Sequence, residues 1–137
     1  MNTYSLSNFK VGMEFAWDFS FDYKDMINFR KLSGDINPIH SNREFAISKG
    51  FDSPVIYGLL LSSQISKLVG TCLPSDHVML TGFNIIFSKP SYIGDNLRFV
   101  STLDFLSEAT LALHFKFEIL KDGIRVCSGN IDSVYRP

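Results

Sequence analysis

Only two cysteines and one tryptophan occur in the 137 residues, and charge of neither sign prevails, with 13 Lys and Arg against 14 Asp and Glu. Cys72 and Cys127 stand too far apart for a metal-ligand spacing and make no disulfide framework, so they read as reduced, small apolar residues. A net charge of -1 leaves no electrostatic footprint for nucleic acid or an anionic membrane. Met1 to Ser7 is polar, without the basic and then apolar segments of a signal peptide. The longest apolar run, Val55 to Leu61, is too short to span a bilayer. These absences predict a cytoplasmic chain.

The composition has 45% hydrophobic residues, 20% charged residues and 13 phenylalanines. Such a chain fits one globular domain, taken as residues 1–137. The phenylalanines suit a thick core, an apolar ligand channel or a subunit interface, and composition does not choose among them.

Periodicity divides the chain without a linker. Glu14 to Phe21 reads as a strand, and Asp22 as the N-cap of a helix through Leu32 that Gly34 ends. Asn37-Pro38 makes residues 35–41 a loop, because the residue before proline is pushed out of the helical region. A short helix follows from about Asn42 to Ser48. Leu59 to Val69 predicts one long helix, apolar over most of its circumference and therefore buried. From Val78 the period changes to two. Leu111, Leu113, Phe115, Phe117 and Ile119 mark a half-buried strand. Asp122-Gly123 supplies the positive φ of a tight hairpin turn, and Ile124 to Tyr135 is the return strand. The predicted class is α+β, with about five mostly antiparallel strands and one buried helix.

The loop Asp35-Ile36-Asn37-Pro38-Ile39-His40 carries a carboxylate and an imidazole. Histidine, with an ordinary pKa of about 6.5, is the side chain nearest to neutrality. Asn37 can bond its own loop backbone, and Pro38 limits how far Asp35 and His40 drift apart. On spacing alone a turn-forming Asp and a structural His are the commoner reading. His77 and His114 read as solvated, and no His/Cys/Asp/Glu set has metal spacing.

The string Phe29 to His40, followed by Phe45-Ala46, resembles the hydratase motif of the MaoC-like family, which includes the (R)-specific, type 2 enoyl-CoA hydratases. Pro54-Val55-Ile56-Tyr57-Gly58-Leu59-Leu60-Leu61-Ser62-Ser63 resembles its second signature, and Pro90 to Leu97 a strand connection of the family. The resemblance implies a hot-dog fold, with the sheet wrapped around the long helix, and a homodimer or dimer of dimers. It implies reversible hydration of trans-2-enoyl thioesters to (R)-3-hydroxyacyl thioesters. Coenzyme A or an acyl carrier protein would be the substrate carrier, with no other cofactor and no metal.

By that resemblance His40 activates water and Asp35 delivers the proton, the two sharing one water. A useful acid needs its pKa raised from about 3.9, which burial among the phenylalanines would provide. Gly58, at a helix start, is the candidate oxyanion donor through its backbone N–H, or else merely permits close packing. Ser63, or its neighbour Ser62, would orient the water. Tyr57 stands where many members of the family have His. A hot-dog thioesterase and a non-catalytic acyl-thioester binding subunit are the alternative readings.

Overall fold

The computed structural model describes residues 6–137. Most of the polar N-terminal segment therefore lies outside the described residues. Five strands form one antiparallel sheet in the order β1-β3-β4-β5-β2, with β1 at Glu14–Phe19, β2 at Val78–Phe87, β3 at Leu97–Ser107, β4 at Ala112–Lys121 and β5 at Ile124–Tyr135. The predicted class, α+β with about five strands, is the one observed. Leu97, Phe99 and Leu103 of β3 and Leu113, Phe115, Phe117 and Ile119 of β4 are buried at every second position. They turn one face of the sheet into the core, as a period of two requires. Leu111, expected to open β4, instead sits before it at φ 60 in the β3–β4 turn. Asp122 (φ 50) and Gly123 (φ 76) make the β4–β5 hairpin turn with the positive φ values that the Asp-Gly pair foretold.

Against the buried face lies the segment from Gly58 to Cys72, and its Leu61, Ile65, Leu68 and Val69 join the sheet residues in one core cluster. This is the hot-dog arrangement. The segment is not the single uniform helix expected. It runs as α3 (Gly58–Leu61) and α4 (Ser63–Lys67), then a π-helical turn at Leu68–Cys72. Ser62 marks the break: its hydroxyl donates to the Leu59 carbonyl at 2.6 Å, a back-bond that bends helices. Nor is the segment buried all round, since Leu59 is 61% exposed.

Helix α1 (Tyr23–Ser33) begins in a capping box. The Asp22 carboxylate accepts from the Asp25 N–H at 2.9 Å, and the Asp25 carboxylate accepts from the Asp22 N–H. It ends at Gly34, whose φ of 75 is left-handed. Helix α2 (Arg43–Ser48) is capped by Asn42. Between α1 and α2 a single 3₁₀ turn, Pro38–His40, carries the candidate histidine.

Two expectations about isolated residues change. His114, read as solvated, is half-exposed but faces Asp132 directly across β4 and β5, with Nδ1 2.8 Å from Oδ1. The ring of His77 borders that of Tyr135, at 6.0 Å between centroids. Both contacts come from strand register, which single-strand periodicity does not reveal. Cys127 is fully buried, and burial pushes its thiol up to about 12. Among the described residues no helix is long and apolar enough to cross a membrane, and no three His, Cys, Asp or Glu residues cluster to hold a metal.

Candidate active site

The loop between α1 and α2 is ordered by its own side chains. Ser33 Oγ accepts the Asp35 N–H at 3.1 Å, Asp35 Oδ1 accepts the Asn37 N–H at 3.0 Å, and Asn37 Oδ1 accepts the Ile39 N–H at 3.0 Å. These are the short-range bonds that Ser, Asp and Asn favour over regular structure. Asn37 thereby caps the 3₁₀ turn, with Pro38 at its first position. One oxygen of Asp35 is occupied by the loop and the other, Oδ2, is left for chemistry.

His40 is held from a different segment. Its Nδ1 lies 2.7 Å from the carbonyl oxygen of Val55, and the Val55 N–H donates to the Ile39 carbonyl at 3.0 Å. A carbonyl oxygen only accepts, so Nδ1 is the donor and carries the proton. In the neutral imidazole the lone pair is then on Nε2, which faces Asp35 Oδ2 at 3.7 Å. That separation is too long for a direct hydrogen bond and leaves both atoms able to hold one water between them. The His40 side chain is 15% exposed and that of Asp35 44%. The expected burial of Asp35 among phenylalanines is therefore not met within the chain. The capping bonds of its loop hold it at the surface, although Phe29 and Phe87 border the same cleft.

Tyr57 is buried, and its ring stacks on His40 at 4.0 Å between centroids and 26° between planes. Phe29 backs it at 4.7 Å. Its hydroxyl donates to the Asp35 carbonyl oxygen at 3.0 Å. Burial, and next the negative charge of Asp35, hold its pKa above the usual phenol value against the opposing effect of Arg30. The phenol is thus kept as a donor. Tyr57 touches both halves of the pair: the ring of one and the backbone of the other.

Gly58 opens α3, so its N–H has no acceptor within the helix. A Cβ built on it would lie 2.7 Å from Phe87 Cζ. Its φ is not positive, so the glycine is required here by space and not by backbone conformation. Ser63 does not border the cleft that holds Asp35, His40, Tyr57 and Gly58. Its hydroxyl accepts from Gln64 Nε2 at 3.3 Å, and Ser62 is spent on its back-bond to Leu59.

Three participants were not singled out as site residues from the sequence: the Val55 carbonyl, Phe29 behind Tyr57, and Phe87. The first is main chain. Phe29 heads the motif string without a role of its own there, and Phe87 is one of thirteen phenylalanines that only the folded chain separates from the rest.

The model of the MaoC like domain matches residues 9–104. The (R)-specific enoyl-CoA hydratase of Aeromonas caviae is 31% identical over 93 residues, covering 68% of this chain and 69% of that protein. The 3-hydroxybutyryl-CoA dehydratase of Methylorubrum extorquens is 34% identical over 71 residues, 52% of this chain and 45% of its own length. Among solved structures, the (R)-hydratase from A. caviae involved in PHA biosynthesis superimposes with a TM-score of 0.88 at 25% identity, covering 95% of this chain and 99% of that one.

Proposed function

Since the chain belongs to the MaoC-like domain family, we propose that it is a hydro-lyase that reversibly hydrates trans-2-enoyl thioesters of coenzyme A or an acyl carrier protein to (R)-3-hydroxyacyl thioesters. The observation that carries this reading is the facing pair: Asp35 Oδ2 and His40 Nε2, 3.7 Å apart, each residue otherwise anchored by a bond to main chain.

Hydration needs a base at the water, an acid at the α-carbon and a partner for negative charge on the thioester oxygen. A water held between the pair gives a proton to His40 Nε2 as its oxygen bonds to the β-carbon. The electron pair of the double bond moves onto the thioester oxygen, where the Gly58 N–H donates to it. The proton taken up by His40 passes through Asp35 Oδ2 to the α-carbon, and the carbonyl reforms, which leaves the pair as it began. Dehydration runs the same steps in reverse. Tyr57 and Asn37 position the pair: one clamps the Asp35 backbone and stacks on His40, and the other caps the turn between them.

A second chain is part of the proposal. β2 is an edge strand of ten residues that exposes Met79, Phe83, Ile86 and Phe87. A long apolar edge is an invitation to pair. A second copy meeting it edge to edge makes a homodimer and covers this surface.

Loss of crotonyl-CoA absorbance on adding the protein tests the activity. Asp35→Asn and His40→Ala are each expected to abolish it with folding intact, and full activity in both variants overturns the mechanism. Release of free thiol in place of hydration would mark a thioesterase. Binding of a saturated acyl-CoA without turnover of the enoyl form would mark a non-catalytic binding subunit.

A further inference from the structure

Two clefts meet at the candidate site. One, of about 350 Å³, contains Asp35, His40 and Tyr57 with Phe29 and Leu59. The other, of about 440 Å³, runs from His40 past Phe51, Val55 and Leu61 to Lys89 and Ser91. Just three residues border both: His40, Gly58 and Phe87. His40 is fixed by Val55, and Gly58 presents only main chain. Phe87 is the one whose side chain walls the junction, at the end of the edge strand and 47% exposed within one chain.

The Phe87 ring is aimed at Gly58. Its Cζ lies 2.7 Å, and its Cε1 and Cε2 3.0 Å, from where a Cβ of Gly58 would stand. An enoyl thioester with its reacting carbons between Asp35 and His40 sends two arms outward, an acyl arm and a carrier arm. Two clefts provide two exits. The junction between them is then where the thioester carbon and the α-carbon lie, beside this ring. A linear chain is narrow there, whereas a methyl on the α-carbon widens it at the point the ring restricts.

We propose that Phe87 is a specificity-determining residue, the aromatic wall at the junction of the two clefts that admits linear 2-enoyl thioesters and excludes α-methyl-branched ones. This rests on the hydro-lyase reading and deepens it. The ring contact is within one chain, so it holds whether or not a second copy covers β2.

The test measures kcat/KM for crotonyl-CoA and for its α-methyl counterpart, tigloyl-CoA, with the wild type, Phe87→Ala and Phe87→Trp. One methyl in a tight apolar site is worth about 10–200-fold in discrimination. The tigloyl-to-crotonyl ratio is therefore expected to rise at least about tenfold in Phe87→Ala and to fall in Phe87→Trp. A purely structural role would lower both substrates together and leave the ratio in place. Phe87→Leu, with the same expected direction as Ala, stands in for any variant that circular dichroism shows unfolded. A ratio unmoved in the folded variants overturns the inference while wild-type hydration of crotonyl-CoA stands. A wild type that does not hydrate crotonyl-CoA overturns the hydro-lyase reading itself, and this inference with it.

Discussion

Replacing Gly58 by alanine separates two roles that the glycine could have, because alanine keeps the N–H and adds only a methyl. At a helical φ the change is ordinarily favourable, by about 0.4–1 kcal/mol through the unfolded chain. Here the methyl would meet Phe87 Cζ at 2.7 Å, and overpacking of that kind costs about 1–3 kcal/mol. The clash is with the far end of a side chain that can turn aside into the cleft it borders, which places the cost near the lower end. The two contributions nearly cancel, so Gly58→Ala should lose no more than about 0.6 kcal/mol, with most hydration activity lost as the displaced ring enters the cleft. Phe87→Ala should restore both in the double variant. The coupling between the two substitutions should reach about 1 kcal/mol, well above the roughly 0.3–0.5 kcal/mol expected of independent sites. Urea denaturation of all four proteins gives the cycle, and crotonyl-CoA hydration follows the activity. A coupling inside the additive range, or a double variant no more active than Gly58→Ala, refutes the steric argument.

Tyr57→Phe deletes the bond to the Asp35 carbonyl, worth about 1 kcal/mol, and should lower kcat more than it raises KM because the loop drifts; unchanged kcat would remove Tyr57 from the positioning role. The same variant bears on alkaline stability. A folded-state pKa raised above the ordinary 10.0 stabilises the protein fully below that pH and progressively less as pH climbs through the folded value. Above pH 10 the wild type should therefore lose stability more steeply than Tyr57→Phe in denaturant melts, and parallel curves would count against it. With Cys127 buried and its thiol pushed up to about 12, one thiol per native chain, Cys72, should react readily with a thiol reagent at pH 8, and two after denaturation. Two fast native thiols would contradict the burial. Ile86→Lys places a charge on the exposed apolar edge of β2, and analytical ultracentrifugation should find a dimer for the wild type and a shift toward monomer for the variant; equal masses would place the contact elsewhere.

Local chemistry wrote most of the fold legibly. The Asp22 cap, the Gly34 stop and the Asp122-Gly123 turn each depend on residues within a few positions of one another, and all lie where the pattern put them. The chain's one long predicted helix was misjudged because apolar periodicity does not register a serine hydroxyl turned back on the Leu59 carbonyl. In the site, Asp35, Asn37 and His40 stood out as a cluster of reactive and turn-forming types on one loop. What could not be read is what comes from elsewhere: a carbonyl at Val55 that sets a tautomer, and an aromatic ring at Phe87 that explains a glycine. The exposure of Asp35 was missed for the same reason. Its surroundings depend on where the capped loop leaves the sheet and not on how many phenylalanines the chain contains.

The bond from His40 to Val55 has a consequence for how this chain can change over time. The acceptor is main chain, so every amino acid at position 55 would offer the same carbonyl. Residue 55 can drift in size and polarity, reshaping the neighbouring cleft that its side chain borders, while the imidazole keeps its lone pair aimed at Asp35. The orientation of the base and the shape of the cleft are thereby uncoupled at a single position. A lineage could retune what it accepts there by ordinary point substitution, whereas losing the tautomer would take an insertion or deletion that reroutes the backbone.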